Sequence, residues 1–326
     1  MGRLQWVIWN GTERRLRTPW RLLLGTVLFV LVSIVTLLSL QLLRETAGIG
    51  LLAGFGPAMR PLVLNAISGL VVLLTLVAVA WLLDRRRLSD FGLGIDREWW
   101  VDCGFGLALG GGVMTVMVVA GIAGGWVAVE SVGLSVGTLP QLVGLVAVFL
   151  VVGFYEELLV RGYLLTNFAE GFRWFDRLSP PVAAGGATLL SSLVFGGLHA
   201  TNPNATLLST AVISAAGVML ALGYLYTGEL AIPIGVHITW NAFQGLVYGL
   251  PVSGAELPVS LVDTTTRGPQ IVSGGAFGPE AGLLGLAGIG LSALGIMVYC
   301  RSRYGTLAID SDVTTPDLRN LSGSTE

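Results

Sequence analysis

Glu156, His199, His237 and Asn241 can exchange protons or hold a developing charge, and each sits in a stretch of this 326-residue chain that otherwise avoids polarity. An ionisable side chain deep in an apolar span is costly and marks a functional site by default. Glu156 lies in Phe154-Tyr155-Glu156-Glu157-Leu158-Leu159-Val160-Arg161, and His199 closes Phe195-Gly196-Gly197-Leu198-His199. His237 and Asn241 belong to Ile234-Gly235-Val236-His237-Ile238-Thr239-Trp240-Asn241. The chain has 2 histidines, and both fall in these segments.

Helical phase sorts the carboxylates. Residues four apart share a helix face, so Glu157 can pair with Arg161. Glu156 points about 100° away from Glu157 and stays free for the interior of a bundle. His237 and Asn241 share a face in the same way, as do Phe195 and His199. Each residue alone also has a plain structural use: Glu157–Arg161 as a buried ion pair, a histidine or Asn241 as a hydrogen bond between helices. Together they suit addition of water to a carbonyl. Glu156, helped by His199, could take a proton from water, while His237 and the Asn241 amide steady the oxyanion. The same atoms allow one divalent metal, zinc, held by His199, His237 and Glu156 with water in the fourth position. No His-Glu-x-x-His helix is present, which excludes the commonest zinc-protease pattern. The residues leave metal-bound and metal-free mechanisms both open.

The elements that must carry these side chains are transmembrane helices. Hydrophobic residues make up 53% of the chain and charged ones 12%, with mean hydropathy +0.78, well outside the range of soluble domains. Eight apolar runs are long enough to span a bilayer: 22–43, 62–83, 101–129, 140–168, 182–200, 205–227, 229–250 and 281–300. The expected fold is an all-α polytopic bundle of about eight transmembrane helices. Arginine placement orients it. With the N-terminus inside, Arg3, Arg14, Arg15, Arg17, Arg21, Arg85, Arg86, Arg87, Arg97, Arg173, Arg177, Arg301, Arg303 and Arg319 are cytoplasmic, against Arg44, Arg60 and Arg267 outside. That bias predicts cytoplasmic N- and C-termini.

The first apolar run is too long for the core of a cleavable signal, so 22–43 reads as a retained span. The expected organisation is a cytoplasmic segment 1–21, a transmembrane domain 22–300 with its catalytic core at about 140–245, and a mobile polar tail 301–326. Residues 251–279 read as a long external loop. Cys103 and Cys300 have no metal-ligand spacing and read as structural. All the basic residues are Arg; with the acidic tail (Asp310, Asp312, Asp317, Glu326) this points to the GC-rich genome of a prokaryote, a halophilic archaeon in particular. No basic patch outside the membrane-flanking loops calls for nucleic acid. The expected partners are the lipid bilayer and a membrane-bound peptide or protein.

The ordered set Glu156-Glu157-x-x-x-Arg161, Phe195-x-x-x-His199 and His237-x-x-x-Asn241 on successive apolar segments resembles the CPBP family. This family comprises the type II CAAX prenyl endopeptidases and their prokaryotic relatives linked with bacteriocin processing and self-immunity. The resemblance covers about 140–245. It implies an intramembrane endopeptidase in which Glu156 is the catalytic carboxylate, His199 its partner, and His237 with Asn241 the remaining catalytic pair. Glu157, Arg161 and Phe195 complete the motifs as supporting residues. Family members are described as metalloproteases, although a metal-free glutamate mechanism has been argued for the CAAX enzymes. The alternative is a non-catalytic membrane protein, either an immunity-type scaffold or an ion-coupled carrier. A carrier is expected to show repeat symmetry, and the chain shows no repeat.

Overall fold

In lipid, a backbone must satisfy its own polar groups, and long apolar runs do so as helices. A computed structural model describes residues 3–47, 50, 54, 56, 59–133, 136–175 and 178–319. Arg177 and residues 320–326, with Glu326, lie outside the described residues. Among them, 7 helices are long and apolar enough to cross a membrane. They are α1 (Thr18–Ala47), α2 (Arg60–Val79), α3 (Arg97–Ala123), α4 (Leu139–Phe172), α5 (Pro180–Leu198), α6 (Leu207–Thr227) and, after the shorter α7 (Ala231–Ala242), α8 (Leu283–Tyr304). The protein is thus a mostly helical, multi-pass membrane protein.

Two segments differ from the sequence expectation. The run 229–250 is helical over only part of its length: α7 has 12 residues and continues through a π-helical turn at Phe243–Val247, joining the end of the bundle where the Leu230 N–H donates to Gly92 O to the end where the Leu261 N–H donates to Leu246 O. Its residues Ala231 to His237 are all buried, so its apolarity serves helix contacts rather than lipid. The run 101–129 stops at Ala123, because Gly125 adopts φ +71° after Gly124 and breaks the helix. The chain then turns into strand β1 (Val127–Val132), which pairs antiparallel with β2 (Val262–Thr266), Val127 opposite Thr266. The 251–279 loop is therefore tied by its middle to the end of α3.

One end of the bundle holds a buried ion cluster. Glu170 meets Arg15 at 2.7 Å, Arg21 at 2.8 Å and Arg86 at 2.7 Å, and Arg21 also meets Asp84 at 2.6 Å. Arg15, Arg21 and Arg86 are almost fully buried. Several of the arginines that produce the charge bias thus lock the N-terminal segment, the end of α2 and the end of α4 together. The described part of the tail is not loose. Val313 is buried, the Asp317 N–H donates to Asp90 Oδ1 at 2.8 Å, and Leu318 bridges to Arg86. Cys103 and Cys300 are free and buried.

A buried charge stripped of its partner costs about 3–5 kcal/mol. Arg21→Met should therefore strand Asp84 and lower the thermal unfolding midpoint of the detergent-solubilised protein markedly. Arg17→Met, which alters an arginine outside this cluster, should shift it far less.

Candidate active site

Glu156 and Glu157 end the α-helical part of α4, and the helix continues as a π-helix over Leu158–Leu165. A π-helical stretch of this kind is frequent at functional sites. The π-helical turn after α7 likewise begins two residues beyond Asn241. His199 caps the end of α5 and opens a 3₁₀ turn, His199–Thr201. The three motifs therefore meet where three helices change their winding.

Glu157 and Arg161 are both fully buried, and Arg161 donates to Glu157 Oε1 at 2.8 Å, as their spacing predicts. Arg161 also donates to Gly217 O at 3.1 Å and lies 4.4 Å from the centroid of the Phe195 ring. The same Glu157 oxygen accepts from His237 Nδ1 at 2.6 Å. Helical spacing within one segment could not show that link. Phe195 stands edge-on to both imidazoles, with ring centroids 4.7 Å from His199 and 6.1 Å from His237. It thus packs at once against the brace and against both histidines.

These contacts assign the tautomers. His237 Nδ1 faces a carboxylate already engaged by Arg161, and His199 Nδ1 faces the Phe195 carbonyl at 2.8 Å. Both acceptors need a proton on Nδ1, which leaves the Nε2 lone pairs of the neutral rings facing inward. Glu156 Oε2 lies 3.8 Å from His237 Nε2 and 4.0 Å from His199 Nε2, and it is buried without a hydrogen-bond partner. Three acceptors thus converge on a gap. Separations near 4 Å are too long for direct hydrogen bonds, so the lone pairs of all three stay unengaged by one another.

Imidazole Nε2 and carboxylate oxygen are donor types that zinc accepts, and an Nδ1 anchored by a carboxylate or carbonyl is the usual outer-sphere support. The spacing is less suitable. Ligand atoms about 2.1 Å from a tetrahedral zinc lie about 3.4 Å from one another, closer than these atoms stand. Among the described residues, no group of three or more His, Cys, Asp or Glu side chains is placed to hold a metal ion. The donor types of Glu156, His199 and His237 thus fit zinc, while the two separations from Glu156 Oε2 are wider than a closed zinc site.

Asn241 lines the same cavity as Glu156, His199 and His237, a space of about 540 Å³. A second, small cavity of about 40 Å³ adjoins it, lined by His199, His237 and Asn241 but not by Glu156. The structure therefore brings together all seven residues singled out from the sequence motifs.

It also adds residues that the motifs omit. Tyr155 Oη lies 3.1 Å from Glu156 Oε1 and 2.9 Å from Asn65 Oδ1 on α2, so its single proton orients one of them. Asn65, an amide in an otherwise apolar run, was the available signal. From the 251–281 segment Ser253 reaches both cavities and Glu280 the small one. Glu280 is 4% exposed, and burial pushes its carboxyl up to about 8, so at neutral pH it is held largely uncharged. A carboxyl in a stretch read as an external loop gave no sign of this.

The fold and site define an intramembrane carboxylate–histidine centre. Residues 138–243 match the family model described as Type II CAAX prenyl endopeptidase Rce1-like. The chain thus carries an Rce1-like domain of the CPBP family, which implies a protease, over about a third of its length. No curated protein and no solved structure matches the chain.

Close helix contact holds α7 in place. A Cβ on Gly235 would lie 2.5 Å from Cys103 O and 2.7 Å from Leu107 N on α3. Overpacking of this kind costs about 1–3 kcal/mol. Gly235→Ala should lower the unfolding midpoint and disturb His237 and Asn241 together. Gly104→Ala, with nothing within 4 Å, should leave the midpoint within about a degree.

Proposed function

We propose that this protein is an intramembrane endopeptidase that hydrolyses a peptide bond of a membrane-associated peptide or protein. The observation that carries the reading is the convergence of an unpartnered Glu156 oxygen with the Nε2 atoms of His199 and His237. A structural carboxylate would be paired, as Glu157 is; a general base needs a free lone pair within reach of water.

In this mechanism Glu156 Oε2 takes a proton from a water held between it and the histidines, and the hydroxide oxygen bonds to the scissile carbonyl carbon. The Asn241 amide donates a hydrogen bond to the resulting oxyanion. His237 can donate from Nε2 only as an imidazolium, a form that Glu157 beside Nδ1 stabilises as charge develops. Glu156 then passes its proton to the scissile nitrogen as the C–N bond breaks. The new carboxylic acid loses its proton to an imidazole or to solvent. Phe195 and Arg161 hold the geometry without touching the reacting atoms.

The substrate's apolar part has a candidate place. A groove of about 440 Å³ lined by Trp99, Trp100, Phe154 and Ile238 shares Tyr155 with the catalytic cavity. Its lining suits an acyl or prenyl chain, or an apolar transmembrane segment. With the arginine-rich end in the cytoplasm, both termini are cytoplasmic and the site opens within a cell membrane.

Glu156→Gln keeps the shape of the side chain and removes the base. Cleavage of an internally quenched, farnesylated CAAX peptide in detergent micelles should fall by at least about 10²-fold, with the unfolding midpoint nearly unchanged. Undiminished turnover by that variant would sink the assignment. The metal question is separate. Elemental analysis and exhaustive chelation should leave activity intact with no stoichiometric metal; loss on chelation and recovery with zinc would overturn the metal-free mechanism.

A further inference from the structure

The turn Val252-Ser253-Gly254-Ala255 pairs Val252 with Ala255 through two backbone hydrogen bonds of 2.9 and 2.8 Å. Its central residues Ser253 and Gly254 have φ +49° and +83°. That is the two-residue turn with both centres left-handed, where Asn-Gly is the least costly pair and a serine is uncommon. Backbone held in such a region persists where its surroundings over-determine it, and it clusters at functional sites.

The surroundings here come from the site itself. Asn202, three residues beyond His199, donates to Ser253 O at 3.1 Å. Gln244, three residues beyond Asn241, donates to Pro251 O and meets Glu280 Oε2. Glu280 Oε1 accepts both the Ser253 N–H and, at 3.2 Å, the Ser253 hydroxyl. The Ser253 carbonyl is thus fastened by Asn202, its N–H and hydroxyl by Glu280, and Glu280 in turn by Gln244. Ser253 lines the large cavity with Glu156, His199, His237 and Asn241, and also lines the small one.

We propose that Ser253 is a substrate-contacting residue of this site and that Glu280 positions it. The inference rests on the endopeptidase reading and adds a specificity contact to it. With its proton directed to Glu280, the Ser253 oxygen keeps its lone pairs for a donor in the cavity. The donor that a bound peptide supplies is a backbone N–H. The contact recognises main chain rather than a side chain, and it lies on the portion of the wall shared with the small cavity, which Glu156 does not line.

The test uses the full-length protein and the quenched farnesylated CAAX peptide. Ser253→Gly removes the hydroxyl and relaxes the turn; KM should rise about five- to tenfold, the worth of one hydrogen bond, while kcat changes less than about twofold. Its unfolding midpoint should not fall, since glycine suits the left-handed position. Ser253→Asn fits the same turn and returns an acceptor oxygen, so it should restore most of the lost KM. Glu280→Leu, which removes the acceptor, should raise KM in the same direction and add little to Ser253→Gly in the double variant, because both act through one contact. A KM unmoved by Ser253→Gly, or effects that add fully, would overturn the proposal and leave the endopeptidase reading standing. If the unsubstituted protein does not cleave the peptide, that reading fails and takes this one with it.

Discussion

One carboxylate oxygen organises the centre of this protein. Glu157 Oε1 accepts from Arg161 on its own helix and from His237 on α7. Fully buried, it would be prohibitively costly without the cation; with Arg161 beside it, the charge can orient an imidazole. That fixes which nitrogen of His237 bears the proton and which lone pair faces Glu156. Arg161 in turn lies against Phe195, whose backbone carbonyl sets the tautomer of His199. Both histidines are therefore aligned through their Nδ1 atoms, leaving Glu156 Oε2 as the unpaired oxygen between them.

The helical frame is built to allow this arrangement. Gly235 brings α7 against the backbone of α3, so that the short helix bearing His237 and Asn241 is held in the interior. The π-helical turns that follow Glu157 and Asn241 widen the winding beside the chemistry. At the opposite extreme of polarity, Glu170 gathers Arg15, Arg21 and Arg86 and ties the ends of α2 and α4. A buried charge network of this kind gives register more than stability. It anchors the end of the helix that carries Glu156.

The cavity is completed by chain that the apolar pattern left out. The segment from Pro251 to Ala281 is anchored at β2 to the strand after α3 and returns beneath the His199 connection. Through it a serine and a buried carboxyl reach the two histidines. The same logic brings Asn65 to Tyr155: the residues that complete the polar lining come from helices and loops distant in sequence, each as an isolated polar group.

Local sequence patterns carry the helical membrane character, six of the seven long apolar helices within a few residues at each end, and the polar residues that the fold gathers around one cavity. Those follow from local terms: the length and apolarity of a run, and the four-residue spacing that put Glu157 with Arg161 and His237 with Asn241 on common faces. Such patterns misplaced the end of α3, where two glycines outweighed an apolar strand, and overextended α7, because burial in protein and burial in lipid select the same residues. Packing between helices is what joins Glu157 to His237 as well as to Arg161, turns the Nε2 atoms toward Glu156, and brings Tyr155, Ser253 and Glu280 to the border of the site. Those are contacts between segments far apart in the chain. Their distances depend on how the helices pack, and no periodicity within one segment carries that information.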